Sequence, residues 1–313
     1  MNSESSILLF SGKSNPGLAS EVAKDLKIPL GKVELTKFAD GETYVNYGET
    51  LRGRDVYIMQ STCNPQNDNL MEMLIMVDAA KRAAAQRITC VIPYYGYAKQ
   101  DRKAHDREPI TAKLIAKLIQ SAGADAVLTM DLHADQIQGF FDIRADFLYA
   151  SGVLTKYFLQ KDLKDIMVVA PDVGSTKRAR KYAKILGSDL AIIDKRRPKP
   201  NVSEVVNLIG DVSGKVCLIV DDEINTGGTI VNAAEALIKK GAKEVYVMAS
   251  HAVFAGEAIG KIEKSSIKEI IVTNSIPARS ESRKIKVVSV ARLFADAIRC
   301  MHTNKSLSEL LGR

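Results

Sequence analysis

The chain has 313 residues, of which 46% are hydrophobic and 26% charged, enough to bury two cores of ordinary domain size. Its formal charge of +7 is dispersed along the sequence and tryptophan is absent, so there is no basic stripe interleaved with stacking aromatics and nucleic-acid binding is not expected. The two local basic clusters, Lys177 to Lys181 and Lys195 to Lys199, suit a small polyphosphate instead.

In chain order, Met1 to Phe10 contains only the short apolar run Ile7 to Phe10 with no basic leader, so neither a signal peptide nor a membrane span is expected and a cytoplasmic location is. That run and Val56 to Met59, Ile88 to Ile92 and Ala126 to Met130 read as buried strands separated by segments of helical period. The rhythm continues with Met167 to Ala170, Leu190 to Ile193, Val216 to Val220, Val245 to Ala249 and Ile270 to Thr273. Alternation of this kind predicts an α/β protein with mainly parallel sheets flanked by helices.

Two stretches share one layout. Arg54 to Tyr95 and Lys215 to Phe254 each read as strand, polar loop, capped helix and strand, which suggests an internal duplication. In the first, Asp68 or Asn69 is expected to cap a helix carrying Leu70, Met73, Leu74, Val77 and Ala80; in the second, Thr229 precedes Ile230, Ala233, Ala234, Leu237 and Ile238, and Gly241 supplies a left-handed stop. The boundary between two similar domains is placed near Phe147 to Gly152, giving 1–149 and 150–313. Cys63, Cys90, Cys217 and Cys300 have no paired spacing, so buried free thiols are expected rather than disulfides or a metal site.

Chemistry concentrates where strands end. After Val216 to Val220 come Asp221, Asp222, Asn225, Thr226, Gly227, Gly228 and Thr229, an acidic pair and a glycine-rich turn leading into a helix. The glycines let backbone N–H groups approach a phosphate, the threonines add hydroxyls, and the helix N-terminus adds positive potential. The aspartates can accept from sugar hydroxyls or help hold magnesium. A second loop, Pro171 to Arg178, offers Asp172, Gly174, Ser175, Thr176, Lys177 and Arg178 at the start of another helix, a setting suited to a diphosphate. Lys195 and Arg197 open a polar stretch after Leu190 to Ile193 that lacks an apolar stripe, either a mobile lid or a solvated basic loop.

The acidic Thr-Gly-Gly-Thr loop resembles the sugar-phosphate loop of the phosphoribosyltransferase superfamily. Phe38-Ala39-Asp40-Gly41-Glu42, Gly96 to Lys103, Asp131 to Phe141 and Asp194 to Pro198 with Asn201 resemble its ribose-phosphate diphosphokinase branch, and the likeness covers nearly the whole chain. The resemblance implies two phosphoribosyltransferase-like domains, the last segment Leu307 to Leu311 packing near the first, and magnesium-dependent transfer of diphosphate from ATP to the C1 hydroxyl of ribose 5-phosphate for nucleotide biosynthesis. It implies that Phe38, Asp40, Glu42, Lys99, Gln100, Asp101 and Arg102 bind ATP, that His133 and Asp172 position Mg2+, and that Lys195 and Arg197 are the catalytic pair. Asp221, Asp222 and Asn225 to Thr229 would hold the sugar phosphate. It further implies a homo-oligomer, a hexamer built of dimers, sharing the adenine loop across subunits.

Three positions depart from the family pattern. Asn225 stands where a third aspartate is usual, Lys99 replaces an arginine and loses its bidentate fork, and Ser175-Thr176-Lys177 interrupts a Gly-Gly and apolar sequence. The competing readings are a weakly active or regulatory relative, and a base-specific phosphoribosyltransferase, which would need the acidic loop but not the ATP loops of the first half.

Overall fold

The computed structural model describes residues 7–196, 205–277, 282–308 and 310. The chain divides into two compact units, the first formed by Met1–Tyr149, Ser275–Pro277 and Ser289–Arg313, the second by Ala150–Asn274 and Ala278–Val288.

The first unit begins with β1 (Ile7–Ser11), α1 (Pro16–Leu26), β2 (Val33–Lys37), β3 (Thr43–Tyr47), β4 (Asp55–Met59), α2 (Gln66–Arg82), β5 (Arg87–Ile92), α3 (Thr111–Ala122), β6 (Ala126–Met130) and β7 (Arg144–Leu148). Its main sheet has the order β1-β4-β5-β6-β7 and is parallel throughout, while β2 and β3 form a separate antiparallel hairpin. Every residue of β4 and of β6 is buried, because helices cover both faces of a parallel sheet; that is why these strands read as continuous apolar runs.

The second unit runs through α4 (Ser151–Leu159), β8 (Ile166–Ala170), α5 (Thr176–Leu186), β9 (Asp189–Arg196), β10 (Val205–Ile209), β11 (Val216–Ile224), α6 (Gly228–Lys239), β12 (Glu244–Ala252), α7 (Ala258–Lys264), β13 (Ile267–Thr273) and β14 (Ile285–Val288). Its sheet has the order β10-β9-β8-β11-β12-β13-β14, with only the β10 and β9 pairing antiparallel. The final helix, α8 (Ala291–His302), belongs to the first unit, where it packs on α1. Its fully buried Phe294 and Ile298 and nearly buried Met301 each stabilise that contact by roughly 1.5–3 kcal/mol relative to exposure.

All nine expected strands are present. Five more, β2, β3, β7, β10 and β14, had no continuous apolar run; β7 and β14 are edge strands with partly exposed residues. Helix α2 starts before the expected cap: Pro65 is its N-cap, Asp68 falls in the first turn and pairs with Lys37 at 2.6 Å, and the Asn69 amide donates to the Cys63 carbonyl at 2.8 Å. Cys63, Cys90 and Cys217 are buried free thiols, and burial pushes the Cys90 and Cys217 thiols up to about 12. No helix among the described residues is long and apolar enough to cross a membrane.

The repeat is visible in register. Asp55 pairs with Arg87 where Val216 pairs with Glu244, and the buried face Met73, Met76, Val77, Ala80 of α2 repeats as Ile230, Ala233, Ala234, Leu237 in α6. The residues that stop the two helices in left-handed geometry correspond as well, Ala84 at φ 59 and Gly241 at φ 87.

Candidate active site

The strand predicted to end at Val220 continues to Ile224, so Asp221 and Asp222 lie within β11 rather than on the loop after it. The reason is β12, which runs alongside and pairs Asp221 with Ala249 and Ile224 with Ala252, whereas the last pair with β8 is Ile219 with Val169. One neighbour drops away and the other stays, leaving the carboxylates at the carboxyl edge of the sheet, where open α/β folds bind ligands.

Two side chains from the preceding loop and helix meet that pair. Arg178 on α5 donates from Nη1 to Asp222 Oδ1 at 3.1 Å and to Asp221 Oδ1 at 3.4 Å, and the buried Ser175 hydroxyl donates to the same Asp221 oxygen at 3.4 Å. The Asp222 backbone N–H donates to Asp221 Oδ1 at 2.9 Å. Burial first, then the neighbouring Asp222 charge, hold the Asp221 carboxyl well above the usual carboxylate range, with Arg178 opposing. Four residues that the sequence assigned to two different loops thus form one charged cluster within the second unit.

Beyond Ile224 the chain turns through Asn225 and Thr226 to Gly227, the N-cap of α6, which sits at φ 75 and ψ −13, a left-handed conformation that disfavours any side chain. The turn is fastened from behind, as Phe254 N–H donates to the Ile224 carbonyl and Ala255 N–H to the Asn225 carbonyl, each at 2.9 Å. Thr226 and Thr229 are exposed, and Gly228 opens the helix. The result is a short concave stretch of backbone with hydroxyls at both ends and a helix N-terminus behind it, suited to a phosphate.

After β8, Asp172 folds back on its own turn: its Oδ1 accepts the Ser175 N–H at 2.8 Å, and the Thr176 hydroxyl donates to the Val173 carbonyl at 2.8 Å. Gly174 and Lys177 are exposed beside them. Lys195 differs from expectation. It is in β9, opposite Val206 of β10, not on a loop, because the antiparallel partner extends the strand past Ile193. Arg197 lies outside the described residues.

In the first unit, Phe38, Asp40 and Glu42 form the exposed tip of the hairpin joining β2 to β3. Asp40 Oδ1 accepts the Glu42 N–H at 3.1 Å, Gly41 takes φ 95, and Phe38 meets Tyr44 edge-on at 5.4 Å. Lys99, Gln100 and Arg102 are exposed on the loop after β5, while Asp101 is buried and accepts from Gln136. Gln136 belongs to the 3-10 turn Asp135–Phe140, which follows the exposed His133, so this bond joins the two first-unit loops. Sequence reading quoted Gln136 inside a motif but gave it no role; its only signal was its place in that run. Gly96 is needed where these loops meet, since a Cβ there would stand 2.3 Å from the Thr62 carbonyl oxygen.

Comparison with known proteins gives a consistent result. Residues 7–123 match the family described as the N-terminal domain of ribose phosphate pyrophosphokinase, and residues 195–312 match the phosphoribosyl synthetase-associated domain. The ribose-phosphate pyrophosphokinase of Clostridium perfringens is 56% identical over 99% of this chain and 98% of its own length, and that of Fusobacterium nucleatum 54% identical over 98% of each. The crystal structure of phosphoribosylpyrophosphate synthetase from Mycobacterium smegmatis superposes with a TM-score of 0.90 at 42% identity, covering 95% of this chain and 99% of that one.

Proposed function

The chain belongs to the ribose-phosphate pyrophosphokinase family, and from that premise we propose how its residues divide the work. The reaction moves the terminal diphosphate of ATP to the C1 hydroxyl of ribose 5-phosphate, giving 5-phosphoribosyl 1-diphosphate and AMP.

The anomeric hydroxyl attacks the β-phosphorus in line and AMP leaves with the bridging oxygen, so positioning and charge stabilisation carry the catalysis. Asn225 to Thr229 hold the sugar phosphate through backbone N–H groups and hydroxyls. Asp221 and Asp222 accept from the ribose hydroxyls, with Arg178 fixing their direction. Gly174, Ser175, Thr176 and Lys177 receive the diphosphate, and Lys195 and Arg197 stabilise the charge that develops on the transferring group. Phe38, Asp40 and Glu42 face the adenine side, and Lys99, Gln100 and Arg102 the ATP phosphates and sugar. Asp101 acts from behind, holding its loop through Gln136.

His133 and Asp172 would hold magnesium, which supplies neutralisation of the triphosphate charge when bound. The Asp172 donor fits: the bond from the Ser175 N–H orients its carboxylate, and a single carboxylate oxygen leaves most of the shell to phosphate oxygens and water, as magnesium favours. Among the described residues no group of three or more His, Cys, Asp or Glu forms a separate metal cage. ATP and ribose 5-phosphate are the partners of this reading, together with further copies of the chain.

The observation that carries the site assignment is the joining of Ser175 and Arg178 to Asp221 and Asp222 at one sheet edge. The test is AMP release from ATP with and without ribose 5-phosphate. Strict dependence on the sugar is expected; no release would favour a regulatory relative, and product from 5-phosphoribosyl 1-diphosphate plus a free base would favour a base-specific transferase.

A further inference from the structure

The first unit contains the same pair of loops as the second, with the charges rearranged. By strand register Ile7 corresponds to Ile166 and Asp55 to Val216, so the loop Gly12 to Asn15 corresponds to Pro171 to Gly174, and Gln60 and Ser61 to Asp221 and Asp222. By the matching buried faces of α2 and α6, in which Met73 corresponds to Ile230, Glu72 corresponds to Thr229. The first unit has therefore lost both carboxylates at the strand end and acquired one on the helix.

That carboxylate is buried and engaged through Oε1. Glu72 Oε1 accepts the Lys13 backbone N–H at 2.7 Å and the Gln60 amide at 2.8 Å, and Gln60 Oε1 accepts the Ser14 N–H at 3.0 Å. Gly12 leaves room for the Gln60 amide, since a Cβ there would lie 2.3 Å from Gln60 Oε1. Successive N–H groups of a loop entering a helix are what a phosphate takes in such folds. Here they converge on the chain's own side chains.

We infer that Glu72 is a built-in anion that, together with Gln60, fills the phosphate cradle of the first unit, Glu72 taking the Lys13 N–H and Gln60 that of Ser14, and so keeps free phosphate out. The inference uses the reading of the loop before α5 as a diphosphate cradle, but it concerns a different loop and is tested separately. The bound carboxylate holds Gly12 to Asn15 in place without a ligand, so the ATP-binding half keeps its shape while only the second half competes for sugar phosphate.

Crystals of the wild-type protein, Glu72→Ala and Glu72→Gln soaked in selenate would decide by anomalous scattering. A selenium peak within hydrogen-bonding distance of the Lys13 and Ser14 N–H groups is expected in Glu72→Ala, and none there in the wild type or in Glu72→Gln, which keeps an acceptor in the cradle. Glu72→Thr, carrying the residue of the second unit, replaces Glu72→Ala if that variant does not fold. A peak at this loop in the wild type, an empty loop in the folded variant, or failure of both variants to fold would each overturn the proposal. Selenate missing from the loop before α5 in the wild type would count against the diphosphate assignment instead.

Discussion

Arg178 of α5 lies 3.1 Å from Asp222 of β11, so the helix after one strand is tied to the end of the next by a nearly buried ion pair. Removing the guanidinium takes a charged partner from the buried Asp222 carboxylate. Arg178→Ala is expected to lower the unfolding free energy of the ligand-free protein by about 2 kcal/mol and to raise KM for ribose 5-phosphate, with Arg178→Lys recovering part of both. Urea midpoints and initial rates measure the two; an unchanged midpoint would show that the pair contributes nothing.

Asp221 links pH to stability. Its pKa is raised in the folded state by burial and by Asp222, so its proton is held more tightly folded than unfolded. Its contribution is then fully present below the ordinary carboxylate pKa, about 3.9, and is lost as pH rises through the raised folded value. Asp221→Asn removes that loss. The variant should gain stability over the wild type as pH climbs above that range and match it in acid, while binding the sugar less well. Thermal melts from pH 4 to pH 8 without substrate would reveal a flat difference if the carboxyl were not perturbed.

Kinetics separate the proposed roles of Lys195 and Asp222. A group that meets charge only as the diphosphate moves should affect kcat, so Lys195→Ala is expected to lower kcat by roughly a hundredfold to a thousandfold with little change in KM. Asp222→Ala should raise KM for ribose 5-phosphate by about tenfold. Steady-state rates that are unaltered in both variants would reject the assignment.

At Asn225 a neutral amide stands where the family pattern leads one to expect a carboxylate. Asn225→Asp restores a charged acceptor, and charge-assisted hydrogen bonds are roughly twice as strong as neutral ones. A severalfold lower KM for ribose 5-phosphate is expected, read from the same initial-rate assay. A higher KM would mean that the amide's N–H donors matter instead.

Asp55 is the hub that holds α8 to the first sheet. It accepts from Arg87 Nε at 2.8 Å and Tyr57 OH at 3.1 Å and lies 2.7 Å from His302 Nδ1, while Arg87 Nη2 donates to the Met301 carbonyl at 3.2 Å. Arg87→Ala takes the guanidinium from the buried carboxylate, leaving it Tyr57 and His302, and is expected to cost about 2–3 kcal/mol, more than His302→Ala at about 1 kcal/mol. Denaturant midpoints for the two variants check the order; equal losses would mean that packing, not charge, holds the helix.

The strands of both units could be read from the sequence because parallel strands covered on both faces leave unbroken apolar runs, as in Val56 to Met59 and Ala126 to Met130. What escaped is where pairing overrides local character. Asp221, Asp222 and Lys195 look like loop residues, yet β12 and β10 supply hydrogen bonds that keep them extended. The acidic and glycine-rich turn was legible because its residue types mark a turn leading into a helix, and Gly227, at φ 75, is the N-cap of α6. That Ser175 and Arg178 would reach Asp221 was not, since 43 positions separate the guanidinium from that carboxylate and only the sheet order brings them together. Glu72 gave no local sign at all; it sits in a helix among apolar residues, and only the repeat reveals what it replaces.

Because α8 closes the first unit from the far end of the chain, the ribosome makes that unit in two instalments. Residues up to Tyr149 emerge early, and the part of α1 that packs on α8 waits uncovered while the whole second sheet is synthesised. A nascent polypeptide stalled before Ala291 would carry a sticky surface that the finished one hides, marking it for chaperones or proteolysis.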